Sequence, residues 1–291
     1  MGTGTAGAHH GEILQGVFRV GGRPVRGLVT LPCPLFRTEA TVLLDWERSA
    51  VKVIPEWKAK ARTAARLALD AIALTHVGAE VVIDSVIPVR RGFGSSTSDI
   101  VATVRAIMTA TDSRFDDEDL GALAVRSETA SDPLMFDRAV LFAQRDGIVL
   151  EDFAGQLPKL EVLGFSTSVD GSGIPTLESR PASYSTAEED EFERLRLLLR
   201  AALASADATA VGAVASASAR LNQRHLPVAQ LEALEEGVAK VGGIGLQVAH
   251  SGDVAGFLFD PSDENLDDRF EETGEFLAGL GINETWRFRS G

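Results

Sequence analysis

Cysteine is nearly absent from this sequence. Cys33 stands alone among 291 residues, so an intrachain disulfide framework and a Cys-rich zinc site are both excluded. Positive charge is also scarce: 28 Lys+Arg face 42 Asp+Glu, a formal net charge of −14. Nucleic-acid backbones are neutralised by clustered Lys and Arg, and anionic membranes attract the same residues. Neither is expected as a partner. A small anionic ligand, which needs only a local positive site, stays open. No apolar run reaches the ~20 residues of a membrane span. The start, Met1-Gly2-Thr3-Gly4, lacks the basic flank and apolar core of a signal peptide. A soluble cytoplasmic protein is the expectation, as monomer or homodimer. No repeat of solenoid length is present.

What is present suits a globular chain: 45% hydrophobic and 24% charged residues suffice for a sizeable core. Strands are predicted at 13–19 and 26–31, split by Gly21-Gly22, and at 39–45. A helix is predicted over 58–74, with Ala64, Leu67, Ala71 and Leu74 on one face. A β-branched strand at 80–87 leads into a Gly/Ser turn, then helices over 98–111 and 116–129. Strands at 139–144 and 159–165 follow. Residues 166–187, rich in Ser, Gly and Pro, read as a linker or mobile loop. Helices over 187–204, 207–221 and 228–241, strands at 242–248 and 254–259, a helix over 263–280 and a strand at 284–288 complete the chain. The class is α+β.

The strongest local signal is Pro88-Val89-Arg90-Arg91-Gly92-Phe93-Gly94-Ser95-Ser96-Thr97-Ser98-Asp99. It joins a strand to a helix. Glycine lets backbone turn tightly and approach a ligand, and a helix start presents unpaired N–H groups to an anion. Arg90 and Arg91 add local positive charge. The segment lacks the Gly-Lys-Ser/Thr ending of a P-loop. It also fails the Rossmann fingerprint.

Pro-x-x-x-Gly-Phe-Gly-Ser-Ser-Thr resembles the second motif of the GHMP kinases. Gly11-Glu12-Ile13-Leu14-Gln15-Gly16 resembles the first motif of the branch containing the propanediol-utilisation L-threonine kinases. Ala249-His250-Ser251-Gly252-Asp253-Val254-Ala255-Gly256 resembles that branch's third motif, with Asp253 where it carries threonine. The resemblance implies a two-part fold. An N-terminal half like ribosomal protein S5 domain 2 would span 1–158, and a ferredoxin-like C-terminal half 159–291. It implies ATP and Mg²⁺ as cofactors and a small alcohol as acceptor, foremost L-threonine or a related hydroxy amino acid. In that branch the phosphorylated product feeds cobalamin side-chain synthesis.

By the same resemblance Arg91, Gly92, Phe93, Gly94, Ser95, Ser96 and Thr97 cradle the nucleotide phosphates. Ser96 and Glu128 ligate Mg²⁺, whose hard character suits hydroxyl and carboxylate oxygen. Asp132 orients or deprotonates the acceptor, with Asp137 the weaker candidate, while Glu12, Gln15, His250, Ser251, Gly252 and Asp253 line the acceptor pocket. Arg90, Arg126 or Arg138 match an amino-acid carboxylate by charge, and Glu12 or Asp253 its ammonium. His9 and His10 stand where the branch has a small polar residue and a cysteine. Neighbours on a strand point to opposite faces, which weighs against one metal site built from both. Asn222 and Gln223 suit either an acceptor contact or a helix end. Two further readings remain: a kinase of the same branch for another acceptor in secondary metabolism, and a non-catalytic metabolite-binding member of the fold. ATP-dependent decarboxylation fits less well, because the third motif resembles the threonine branch.

Overall fold

The structure is a computed structural model that describes residues 1–167 and 183–290. The chain opens with a long antiparallel hairpin, β1 (Gly2–Val20) and β2 (Arg23–Asp45). Gly21 and Gly22 both sit at positive φ, +57° and +81°, the backbone that a two-residue hairpin turn requires. β1 begins well before the strand predicted at 13–19. Its early residues alternate Gly, Ala and Thr because a helix lies directly on them. A Cβ on Gly2 or Gly4 would overlap the backbone of that helix, α2 (Ser95–Thr111). Smallness there serves close packing.

β3 (Val51–Ile54) runs parallel to β4 (Gly78–Ser85), and α1 (Ala59–Ala71) makes the crossover between them. α1 buries a stripe of Ala61, Ala64, Ala65, Ala68 and Leu69. α3 (Asp117–Glu128) is capped by Asp116, whose carboxylate accepts the Asp119 N–H. The hairpin β5 (Val140–Ala143) and β6 (Ile148–Asp152) hangs from β2 at Leu28 and Phe142.

β7 (Leu160–Ser166) starts the second half. α4 (Thr186–Ala204) opens on a capping box of Ser185 and Glu188. α5 (Ala208–Asn222), α6 (Leu231–Lys240), β8 (Gly245–Val248), β9 (Val254–Phe259), α7 (Leu266–Gly279) and β10 (Thr285–Ser290) follow.

The strands form one ten-stranded sheet in the order β10-β7-β9-β8-β1-β2-β4-β3, with β5 and β6 off this path. Three apolar clusters lie on it. One, around Ala64, Val81 and Ile100, sits under α1–α3, and a second, around Leu234, Phe257 and Leu277, under α6 and α7. The third, around Phe18, Leu31, Phe192 and Leu258, draws on both halves of the chain. β1 and β8 meet at a single pair, Glu12 with Val248. That seam carries the candidate site. Among the described residues no helix is long and apolar enough to cross a membrane. The segment 166–187 lies largely outside the described residues, so its reading as a linker or lid is not addressed by the fold.

Candidate active site

α2 starts at Ser95, one turn earlier than its apolar residues suggest. Gly94 is its N-cap, in the left-handed region at φ +71°, so no hydroxyl caps the first turn. The first intrahelical bond runs from Ser98 N–H to Gly94 C=O at 2.9 Å. The N–H groups of Ser95, Ser96 and Thr97 therefore point out of the helix, as at any helix start.

The glycines of this loop have neighbours that demand them. A Cβ on Gly94 would overlap the His9 ring, and one on Gly92 would overlap the Ser251 carbonyl. Gly252, at φ +83°, is pressed against the backbone of Arg91 and Gly92. The Asp253 N–H donates to the Arg91 carbonyl at 3.1 Å. The Gly92–Gly94 loop and the third-motif turn are thus one interlocked unit.

Thr97 is the hinge of the polar site. Its hydroxyl donates to Glu128 Oε1 at 2.6 Å, and its oxygen accepts the Asp132 N–H at 3.3 Å. The second Glu128 oxygen meets Lys60 Nζ at 3.1 Å, although the Glu128 side chain is only 3% exposed. Behind this row, Lys58 Nζ and Asp99 Oδ2 form a buried pair at 2.5 Å, with the Thr38 hydroxyl donating to Asp99 at 3.2 Å. That pair fixes the start of α1 against the first turns of α2.

The other wall comes from β1 and the turn after β8. His9 Nε2 lies 3.1 Å from Asp132 Oδ2. Glu12 accepts twice from His250, from Nδ1 at 2.7 Å and from the backbone N–H at 2.6 Å. Burial opposes charge on His9, but the Asp132 carboxylate beside it, with Glu12 adding, raises its pKa above the ordinary imidazole value. Burial likewise opposes charge on His250, and Glu12, then Asp132 and Glu128, overcome it and raise its pKa to about 9. For Asp132 burial pushes upward, and the His9 charge and hydrogen bond, then His250 and Thr97, hold the carboxyl well below the usual range. His10 points the other way, among Phe93, Trp286 and Phe288, where burial and the His9 charge depress it to about 3. The strand alternation expected of the two histidines is what separates them.

Several sequence candidates hold other duties. Arg91 is bound by Asp253 at 2.7 Å and by Glu284 at 2.8 Å, so the loop's cation and the third-motif acid neutralise each other. Ser166 donates to the other Asp253 oxygen at 2.6 Å. Arg138 is spent on Asp117, Glu118 and Asp152. Gln15 donates to the Val248 carbonyl, and Ser218 and Asn222 bind its backbone, stapling α5 to β1. Asn222 and Gln223 hold the end of α5, through Tyr184 and Val228. Ser96 is half-exposed on the first turn beside Thr97, and Ser251 and Gly252 are half-exposed in the turn that backs the loop. Asp137 is exposed. With Pro133 and Leu134 it lines a mostly apolar cavity of about 440 Å³. Cys33 lines that cavity too, its thiol pushed up to about 12 by burial.

Sequence reasoning missed Lys58, Lys60 and the part played by Thr97. The available signal was two lysines two residues apart at a helix start, in a chain that uses lysine rarely.

Residues 59–137 match the family GHMP kinases N terminal domain. The chain is similar to the L-threonine kinase of Citrobacter freundii, at 28% identity over 202 residues that cover 66% of this chain and 67% of that protein. It is similar to the L-threonine kinase of Salmonella typhimurium strain LT2, at 29% over 192 residues that cover 64% and 62% respectively. The aligned stretch is thus about two thirds of each relative. Among solved structures, homoserine kinase from Cytophaga hutchinsonii superposes with a TM-score of 0.71 over 100% of this chain and 95% of that one. At 13% identity that likeness speaks for the fold alone.

Proposed function

We propose that this chain is a kinase of the GHMP type, which transfers the γ-phosphoryl group of ATP to the side-chain hydroxyl of L-threonine or a related hydroxy amino acid, with Mg²⁺. One observation carries the reading: the Thr97 hydroxyl, at the start of α2, ties together Glu128 and Asp132. Two carboxylates of different duty therefore flank a helix terminus that favours anions.

Phosphoryl transfer depends mainly on position and charge neutralisation. The outward N–H groups of Ser95, Ser96 and Thr97 supply the phosphate cradle. Trp57, Val86 and Val89 are exposed on the segments leading to Lys58 and to the loop. The donor set fits a hard cation: the Ser96 hydroxyl and the Glu128 carboxylate are oxygen ligands, and Glu128 already draws a cation to Oε2. Mg²⁺ held there would neutralise phosphate charge, and Lys60 would then move to a phosphate oxygen. Asp132 receives the acceptor hydroxyl's hydrogen bond and aims its oxygen at phosphorus. With the carboxyl held below its usual range, Asp132 is an anion across the working pH and takes the proton only as the new P–O bond forms.

The test is a coupled ADP assay with L-threonine, L-serine and L-homoserine, with ³¹P NMR of the product. Acceptor-dependent ADP and a new phosphomonoester signal are expected from the wild type. Glu128→Gln should need far more Mg²⁺ and lose on the order of 10²-fold in kcat, the usual cost of removing one electrostatic group. ADP release indifferent to every hydroxy amino acid refutes the acceptor class.

A further inference from the structure

This inference rests on the kinase reading above and concerns how Asp132 is held. His9, Asp132, His250 and Glu12 form a closed circuit in which imidazole and carboxylate alternate. Two contacts are tight: His9 Nε2 to Asp132 Oδ2 at 3.1 Å, and His250 Nδ1 to Glu12 Oε1 at 2.7 Å. Two are too long for a hydrogen bond: His9 Nδ1 to Glu12 Oε1 at 3.9 Å, and His250 Nε2 to Asp132 Oδ1 at 3.8 Å. The first gap is sealed, with His9 1% and Glu12 0% exposed, and the Gly11 carbonyl stands 3.4 Å from Nδ1. The second lies at the accessible edge, with His250 14% and Asp132 12% exposed.

We propose that the acceptor's hydroxyl oxygen completes the circuit at the second gap, donating to Asp132 Oδ1 and accepting from His250 Nε2, and that His9 is the positioning residue that holds Asp132 in aim. An oxygen ~2.8 Å from each atom spans that separation with ordinary hydrogen bonds. Glu12 grips His250 by ring and backbone at once, so Nε2 has one direction to point. His9 is held as firmly, between Gly94 and Asp132, and its own N–H donates to the Phe93 carbonyl at 3.2 Å. The residue that aims the acceptor's partner therefore also abuts the phosphate loop.

In the transfer, the acceptor oxygen bonds to the γ-phosphorus while the bond from that phosphorus to the ADP oxygen breaks. The electron pair leaves with ADP, and the acceptor's proton goes to Asp132 Oδ1. Protonated His250 keeps a positive charge beside the reacting oxygen. The charged or titratable groups around Asp132 are His9 and Glu12 from β1, His250 from the turn after β8, Glu128 from α3 and Lys60 from α1. His9 is the one whose contact lies nearest the carboxylate.

Two measurements test this on the full chain. The histidine ring signals, followed by NMR without substrate, should include one titrating near pH 9 that vanishes in His250→Asn. In kinetics across a range of about pH 5 to 10, wild-type kcat/KM for the acceptor should be flat and then fall above about 9 as His250 loses its proton. His9→Gln and His9→Asn should lower kcat roughly tenfold or more near pH 6 with the ATP KM within about twofold. They should also add an acid limb, recovering as pH rises and Asp132 ionises. A His9→Gln profile parallel to the wild type overturns the inference, as does activity that climbs through pH 9. So does stoichiometric zinc in the active protein, because His9, Glu12 and Asp132 bring one donor atom each within 4.8 Å of one another. If the wild type turns over no hydroxy amino acid, the kinase reading itself falls. Turnover with an unshifted His9→Gln profile sinks only the present inference.

Discussion

Replacing Glu12 by Gln puts the polar circuit to a test that needs no substrate. Glu12 is fully buried and accepts two short hydrogen bonds from His250. Its charge and hydrogen bond are the main forces raising the His250 pKa from 6.5 to about 9. At 1.36 kcal/mol per unit, that shift is worth about 3 kcal/mol of folding stability. The sign follows from the direction. A histidine raised in the folded state contributes its full stability below pH 6.5 and loses it as pH climbs through about 9. Glu12→Gln removes the main raising force, so the His250 pKa falls back under the pull of burial. The gap between wild type and variant should therefore be roughly 3 kcal/mol near pH 6 and shrink steadily toward pH 10. Urea unfolding at fixed ionic strength measures it through the midpoint, with the slope m checked for constancy. Two stability curves that stay parallel from about pH 6 to 10 would refute the reasoning, because a purely steric cost of the substitution does not titrate.

Two further outcomes follow from neighbouring packing. Gly94→Ala forces a left-handed residue and a Cβ into the His9 ring, so it should cost ~2 kcal/mol or more by urea midpoint and depress activity beyond that loss; a wild-type midpoint contradicts the close approach. Lys58→Met strands Asp99, whose pKa burial already raises, and should cost ~3–5 kcal/mol, with Lys58→Met/Asp99→Asn regaining most of it. A single-variant loss under ~1 kcal/mol means the pair is not the buried contact described.

The helices and the Gly92–Gly94 turn were legible because period and punctuation agree there. β9 was read to the residue, and α3, α4 and α5 within two at either end. The first ten residues were not legible as a strand. Their Gly/Ala/Thr run carries no apolar alternation, since the partner α2 admits only small side chains. β3 and β6 escaped notice because Lys52 interrupts the one and Glu151 and Asp152 end the other, so neither shows the unbroken apolar run that marked the equally short β5. Within the site, motif resemblance picked out Glu12, Glu128, Asp132 and His250. It could not say that Asp253 and Arg91 would turn to each other across 162 positions, or that Thr97 would hold Glu128, because such pairings are made by tertiary packing alone.

The interlock of Gly92 with the Ser251–Asp253 turn has a thermodynamic corollary. The loop expected to hold phosphate and the turn that carries His250 share backbone contacts and the Arg91–Asp253 pair, so neither can shift without the other. On the proposed function, free energy that nucleotide binding invests in settling this unit would be passed on to the acceptor, and linkage would require the acceptor to return the same factor. The two substrates should each tighten the other's dissociation constant equally, and opening the Arg91–Asp253 pair should weaken that mutual preference before it weakens either affinity alone.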